Sequence, residues 1–201
     1  MGTRGRPRLF DRDVALRKAV EVFWERGYEG TSIKDLTEAM SIAPPSIYAC
    51  FGSKEGLFRE AMELYTATEG QVPRTPLREE PTTREAIHAM LRATVDVITL
   101  PGLPHGCMLV LAAPTGAVEN HAVRAYLAEG RRAQRDEIRE RLARGVAEGD
   151  LSASDERLDV MARYYATIVQ GLSVQARDGA SREALEDVIA FAMAAWDSAG
   201  Q

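Results

Sequence analysis

Histidine and cysteine are the residues of this 201-residue chain whose spacing would best indicate catalysis or metal binding. The histidines, His88, His105 and His121, form no His-Glu-x-x-His motif and no pair with the spacing of helical metal ligands. His105 and Cys107 stand two residues apart, which is weak support for a thiol nucleophile. The sequence also has no Gly-rich phosphate-binding loop. We therefore predict no enzyme, no metal site and no cofactor.

Cys107 has a second interpretation, as a sensor of oxidants or electrophiles. It belongs to an apolar stretch that predicts a short helix over residues 105–113, and a helix N-terminus would lower the pKa of the thiol. The alternative is a buried cysteine with a structural role only. Cys50 and Cys107 lie too far apart in the sequence to indicate a disulfide framework, which favours a reducing cytoplasm.

Residues 31–57, TSIKDLTEAMSIAPPSIYACFGSKEGL, have the pattern of two short helices joined by a tight turn and followed by the start of a third. Thr31 or Ser32 can cap the first helix. Pro44 and Pro45 suit the start of the second, because the first backbone N–H groups of a helix have no helical partner.

The second of these helices predicts an exposed face. Ile47 and Phe51 lie four residues apart and can face a core. The side chains that then point elsewhere are those of Ser46, Tyr48, Ala49 and Cys50. A short helix that exposes its side chains has a shape suited to the major groove of DNA.

The spacing of Tyr48, Phe51, Lys54 and Leu57, at three-residue steps, resembles the helix-turn-helix of the tetracycline-repressor (TetR) family of bacterial transcription regulators. The detailed similarity covers roughly residues 10–62. The resemblance implies that the first residues of the second helix contact bases and phosphates, with a lysine on either side holding phosphates. Carried over by position, the implied DNA-binding residues are Lys34, Pro44, Pro45, Ser46, Tyr48, Ala49, Cys50 and Lys54.

Two positions depart from the family pattern. Ser41 stands at a turn position usually taken by Gly, and a positive φ at a non-Gly residue costs on the order of 1 kcal/mol. Ala43, at the start of the second helix, offers no side-chain acceptor for capping. Neither departure changes the predicted fold.

Residues 1–10, MGTRGRPRLF, predict a flexible basic arm. Arg4 and Arg6, separated by Gly5 and followed by Pro7, resemble the core of an AT-hook, which binds a narrow minor groove. The alternative is a basic tail that adds only attraction to phosphates. We count Arg4 and Arg6 among the predicted DNA-binding residues.

The charge distribution favours DNA contact at one end of the molecule. The chain carries a net charge of −5, yet residues 1–18 hold six basic and two acidic side chains, and residues 61–201 hold 15 basic and 21 acidic ones. The longest apolar run, Cys107–Ala113, is too short to span a membrane, so we predict no membrane partner.

The rest of the chain predicts helices only, and the fold class is therefore all-α. We predict a basic arm (1–10), a helix-turn-helix domain (11–57) and a helical effector-binding and dimerisation domain (58–201), with a proline-rich loop at 70–82. The resemblance implies a homodimer that pairs through the last two helices, about residues 154–198, and reads a palindromic site in double-stranded DNA.

Regulators of the TetR family usually respond to a small molecule that binds in a pocket. The resemblance implies such a pocket here, and we expect it among the helices of the second domain. Its predicted lining is aromatic, Met-rich and short of charge: Met62, Tyr65, Leu91, Val95, Cys107, Met108, Leu111, Tyr126, Tyr165 and Ile168. The sequence thus predicts a homodimeric repressor released by a small-molecule or thiol-reactive effector. The alternative is a helical protein–protein interaction module whose helix-turn-helix no longer binds DNA.

Overall fold

A computed structural model of the chain describes residues 11–113 and 118–199. Within these ranges the protein is all-α, with two short 3-10 helices and no strand. The α-helices are α1 (Arg12–Arg26), α2 (Ile33–Met40), α3 (Pro44–Phe51), α4 (Lys54–Ala67), α5 (Pro76–Glu79), α6 (Thr83–Ile98), α7 (Met108–Leu111), α8 (His121–Glu148), α9 (Asp155–Arg177) and α10 (Arg182–Ala199). Arg4, Arg6 and the rest of the predicted arm lie outside the described residues.

The buried side chains of the described residues form two apolar cores. The first packs α1 to α4 together and includes residues of α7 and the first turns of α8. Its centre is an aromatic cluster in which Phe58 of α4 meets the edge or face of Phe23 at 5.0 Å and of Tyr28 at 5.1 Å, measured between ring centroids. The second core joins α5 and α6 to α8, α9 and α10.

The segment at 70–82 differs from the predicted loop. It contains a 3-10 helix, Glu69–Arg74, and the single turn α5. Pro76 is compatible with α5 because it occupies the first position, where a backbone N–H has no helical partner. Pro73 lies inside the 3-10 helix. Arg74 pairs with Glu137 of α8, which ties this segment to the long helix.

The helix predicted over residues 105–113 is much shorter in the structure, where α7 is one turn. Gly106 has φ +83°, a left-handed conformation that ends helical geometry before Cys107. Cys107 itself is extended, with φ −95° and ψ 126°. Residues 105–113 therefore pass between the two cores as irregular backbone with a single helical turn, and not as a regular helix.

Candidate DNA-binding face and effector cavity

The second helix of the predicted pair, α3, presents the face that its sequence suggests. Ile47 is fully buried and Phe51 is 6% exposed, so both anchor the helix in the first core. Tyr48, one residue after Ile47, is 51% exposed. Pro44 and Pro45 occupy the first positions of α3, and Ala43 caps it without a side-chain hydrogen bond. The short helix is thus fixed by two apolar residues and leaves its opposite side to solvent.

The turn between α2 and α3 adopts the geometry expected from the sequence in spite of Ser41. Ser41 has φ 55° and ψ 41°, the left-handed conformation that ends α2. At the other end of α2, Ser32 and Asp35 form a reciprocal capping box. Hydrogen bonds from Ser32, with a further bond from Arg26, lower the pKa of Asp35 to about 2. These caps hold both ends of a helix of only eight residues.

The two lysines predicted to hold phosphates differ in their surroundings. The side chain of Lys34 is 82% exposed and lies 3.8 Å from Glu38, so it is available at the surface. The ammonium of Lys54 lies 4.3 Å from the centroid of the Tyr28 ring, in a cation–π contact. Burial at this position lowers the pKa of Lys54. Lys54 therefore packs against the first core, and its contact with a phosphate stays a prediction.

The predicted DNA-binding residues of α3 differ in how far their side chains are exposed to solvent. Pro44, Pro45, Tyr48 and Ala49 are exposed, whereas Ser46 and Cys50 are half-buried. The roles of these residues in binding DNA stay predictions.

A cavity of about 280 Å³ lies between the two cores, bounded by α4, the 3-10 helix after it, α6, α7, α8 and α9. Its walls are mostly apolar, and polar groups of Glu69, Arg74, Glu129 and Gln134 also reach it. The side-chain oxygen of Gln134 is buried without a hydrogen-bond partner. A cavity of this size, with apolar walls and a few polar groups, suits a small organic molecule.

The structure brings four of the ten predicted effector residues to this cavity: Met62, Tyr65, Cys107 and Tyr126. The other six lie elsewhere. Leu91, Val95 and Met108 are fully buried in the packed cores. Leu111 approaches Gly106, and Tyr165 and Ile168 belong to the second core or pack against it. Whether the four residues on the cavity bind an effector stays a prediction.

Cys107 and Tyr65 line the cavity and are hydrogen-bonded to each other. The Tyr65 hydroxyl donates a hydrogen bond to Cys107 Sγ over 3.3 Å. Burial raises the pKa of the Cys107 thiol, although the Tyr65 hydrogen bond and Arg131 act in the opposite direction. The expected lowering by a helix N-terminus was wrong, because α7 is a single turn and desolvation dominates. The partial exposure of Cys107 opens onto the cavity that it lines.

Comparison with known proteins agrees with the geometry. A family model described as bacterial regulatory proteins, tetR family, matches residues 15–61. The chain is 32% identical over 195 residues to the HTH-type transcriptional repressor ComR of Escherichia coli (strain K12), covering 96% of this chain and 92% of ComR. This chain belongs to the TetR family.

Two further relatives extend the comparison within the TetR family. The repressor BdcR of the same organism is 29% identical over 183 residues, which cover 90% of this chain and 86% of BdcR. A solved structure of a cysteine mutant of the TetR family regulator CifR, complexed with 26-bp double-strand operator DNA, has a TM-score of 0.92. It is 51% identical, and the match covers 95% of this chain and 100% of that one.

Membership of the TetR family makes this protein a DNA-binding transcriptional regulator with an N-terminal helix-turn-helix and a C-terminal helical bundle. Because regulators of the family are not enzymes, the prediction that the chain lacks enzymatic activity is confirmed. None of the helices that the structure describes is both long and apolar enough to cross a lipid bilayer.

Several residues that support this TetR-type head and cavity were not predicted from the sequence. Arg12 lies over the Phe51 ring at 4.7 Å and pairs with Glu60 of α4. Glu69 lines the cavity while it accepts hydrogen bonds from Arg17 of α1. The sequence around Arg12 and Arg17 does not indicate these ion pairs, because the acidic partners lie about 50 residues away along the chain.

Proposed function

We propose that this TetR-family regulator is a cytoplasmic homodimeric repressor that binds a palindromic operator and releases it when a small molecule occupies the cavity. The observation that carries the proposal is the position of α4. This helix begins three residues after α3 ends, and its residues Met62 and Tyr65 line the cavity. An occupant that displaces α4 therefore also displaces the recognition helix. The names of the relatives ComR and BdcR, both repressors, support the sign of the response.

We propose the same functional division as the sequence suggests. The arm (1–10) adds charge and groove contacts, the unit at 11–57 reads the operator, and residues 58–201 bind the effector and form the dimer. The first core continues from the head along α4. This continuity supports a mechanical link across the boundary at residue 57.

The exposed apolar face of α9 and α10 supports dimerisation. Phe191 of α10 is 83% exposed, and Val160 and Tyr164 of α9 are 54% and 39% exposed. A row of apolar side chains on two adjacent helices is unfavourable in water and suits a four-helix interface with a second copy. Two-fold symmetry would then bring two α3 helices to successive major grooves about 34 Å apart.

The self-association is tested by Phe191→Glu, which places a charge in the proposed interface. We expect sedimentation to change from dimer to monomer and operator affinity to fall at least tenfold. Val146→Glu is the matched control, because Val146 is an exposed valine (37%) on α8, a helix outside the proposed interface of α9 and α10. A Phe191→Glu protein that sediments as the parent does would rule out this interface.

Cys107 supports a thiol-reactive effector as one form of the signal. The thiol lines the cavity, so a compound held there meets sulfur directly. Because the thiol pKa is raised, its reaction should accelerate as the pH rises above the ordinary thiol value. We expect an electrophile such as N-ethylmaleimide to release DNA from Cys50→Ala, in which Cys107 is the remaining cysteine, and not from the variant that also carries Cys107→Ser. A Cys50→Ala protein that keeps its operator after complete labelling would leave only non-covalent effectors.

The repressor's DNA recognition is tested by selecting bound sequences from a random duplex pool at two salt concentrations. We expect enrichment of a palindrome whose half-sites lie on one face of the duplex, and affinity that falls steeply with salt. Tyr48→Ala should lose the enriched sequence. Salt-sensitive binding by the parent without any enrichment would instead favour the protein–protein interaction module.

A further inference from the structure

The strap, defined here as residues 105–112, lies between the DNA-binding head and the rest of the protein. The indole Nε1 of Trp24, in α1, donates a buried hydrogen bond of 2.7 Å to the carbonyl oxygen of Gly106. The backbone N–H of Tyr28, just after α1, donates to the carbonyl oxygen of Ala112, also over 2.7 Å. The two ends of the strap are thus both bonded to the C-terminal end of α1.

Arg177, the last residue of α9, connects that helix both to the strap and to the C-terminal end of α1. Its Nε donates to the carbonyl oxygen of His105 at 2.7 Å. Its two terminal nitrogens donate to the carbonyl oxygens of Glu25 and Trp24, each at 2.8 Å. Because these two carbonyls belong to the last turn of α1, they have no partner further along the helix. A guanidinium at a helix C-terminus also has the favourable charge for the helix dipole.

The opposite side of the strap forms part of the cavity wall. Cys107 and Leu109 line the cavity, and Arg131 of α8 donates a hydrogen bond of 3.1 Å to the carbonyl oxygen of Leu109. Cys107 packs against both apolar cores. A molecule that fills the cavity, or a group attached to the thiol, therefore pushes on the strap directly.

The backbone of the strap packs closely against α9 at one end and against the end of α1 at the other. A Cβ added to Gly106 would lie 2.7 Å from the carbonyl oxygen of Ser173 in α9. A Cβ added to Gly27, at the end of α1, would lie 2.7 Å from the carbonyl oxygen of Ala112. Backbone packed this closely on both sides transmits a displacement instead of absorbing it.

We propose that Arg177 is the positioning residue that couples the cavity to the DNA-binding head, by holding the strap and the C-terminal end of α1 as one unit. The inference rests on the proposed function in taking an occupant of the cavity as the signal. It adds a route to the head that passes through the strap and α1, separate from the route through α4. Loss of Arg177 should remove this second route without emptying the cavity or altering α3.

The coupling is tested with the full-length protein, using iodoacetamide to place a group on Cys107. The variant Cys50→Ala serves as the background, so that only one thiol reacts. Because Cys50 belongs to the predicted DNA-binding face, every operator Kd is compared within this background and never with the parent. The thiolate displaces iodide and forms a carbon–sulfur bond, and the thiol proton passes to solvent; mass spectrometry verifies complete reaction. Amide hydrogen exchange of residues 20–31 then reports on the head without DNA, and the ratio of operator Kd after and before labelling reports on function.

In the Cys50→Ala background we expect labelling to raise exchange in residues 20–31 at least fivefold and to raise operator Kd at least tenfold. With Arg177→Ala added, labelling should raise exchange in residues 20–31 less than threefold and should raise operator Kd by a smaller factor than in the background, because the route through α4 remains. Arg177→Lys should give an intermediate response. Arg182→Ala is the control, since the ion pairs of Arg182 are with Asp96 of α6 and Glu186 of α10. The lysine variant also serves if the alanine variant does not fold.

Two outcomes would overturn the inference, and a third concerns only the proposed function. Equal responses with and without Arg177 would remove its role, and unchanged exchange in the labelled background would remove the role of the strap. A labelled protein with raised exchange in residues 20–31 and unaltered operator binding would support the coupling while contradicting effector-controlled release.

Discussion

The DNA-binding face and the effector cavity differ in how the chain assembles them. The face comes from one stretch, residues 31–57, in which caps, prolines and two core residues orient α3. The cavity takes its lining from residues as far apart as Met62 and Val169. A local pattern in the sequence can specify the first, whereas the second depends on how long helices meet. The two sites should therefore respond differently to substitution.

The largest effect is expected where the two regions share a helix. Phe58 of α4 is fully buried against Phe23 and Tyr28, so Phe58→Ala should lower the free energy of unfolding by about 3–5 kcal/mol. Urea denaturation measures this loss, and operator affinity should fall with it. A loss below about 1 kcal/mol would mean that head and body are less tightly joined than the aromatic cluster indicates.

A matched pair on α6 distinguishes the packed core from the cavity wall. Val95 is fully buried in the second core, whereas Val97, two residues on, lines the cavity. Val95→Ala should cost about 2–3 kcal/mol, because the lost methyl groups leave a new void. Val97→Ala should cost about 1 kcal/mol, because its side chain already borders empty space. Equal losses in urea denaturation would contradict the position of the cavity.

Tyr48 provides the opposite case, a residue whose loss should affect binding and not stability. Because the Tyr48 ring is exposed, Tyr48→Ala should lower the free energy of unfolding by less than about 0.5 kcal/mol. Loss of a base or phosphate contact should reduce operator affinity about tenfold or more, corresponding to about 1–3 kcal/mol. Fluorescence anisotropy with labelled operator measures the change. Unchanged affinity would remove Tyr48 from the reading face.

The arm supplies charge that the head itself lacks. Residues 11–57 hold six basic and eight acidic side chains, so favourable attraction to phosphates depends strongly on the arm. Replacing Arg4 and Arg6 by alanine should reduce the slope of log K against log salt by about 2, at roughly 0.9 per phosphate contact. Replacement by lysine should keep the slope, and it should lower any preference for A·T-rich flanks only if the arginines bind the minor groove.

The sequence predicted the head more completely than the body for a physical reason. Ser32 and the two prolines of α3 act within a few residues of themselves, and the structure has each at the predicted helix end. Cavity lining depends on helix rotation and on distant partners. Val95 and Val97 are both apolar residues of α6, and periodicity selected the one that faces the core. The prediction of a lowered pKa for Cys107 was wrong, because burial by distant helices outweighs the effect of the local helix end.

The smallest expected effect is on the capping box at the start of α2, which depends only on residues close together in the sequence. The pKa of Asp35 is lowered to about 2, first by the Ser32 hydroxyl and backbone N–H, and also by Arg26. A carboxyl whose folded-state pKa is lowered stabilises the fold above its unfolded value, near pH 4, and this contribution disappears as the pH falls towards 2. Asp35→Asn should therefore melt slightly below the parent at pH 7, with the two melting curves converging near pH 2. Glu38→Gln controls for removing a charge from α2 without touching the capping box. A constant difference between parent and Asp35→Asn across pH 2–7 would mean that the capping carboxylate contributes through shape alone.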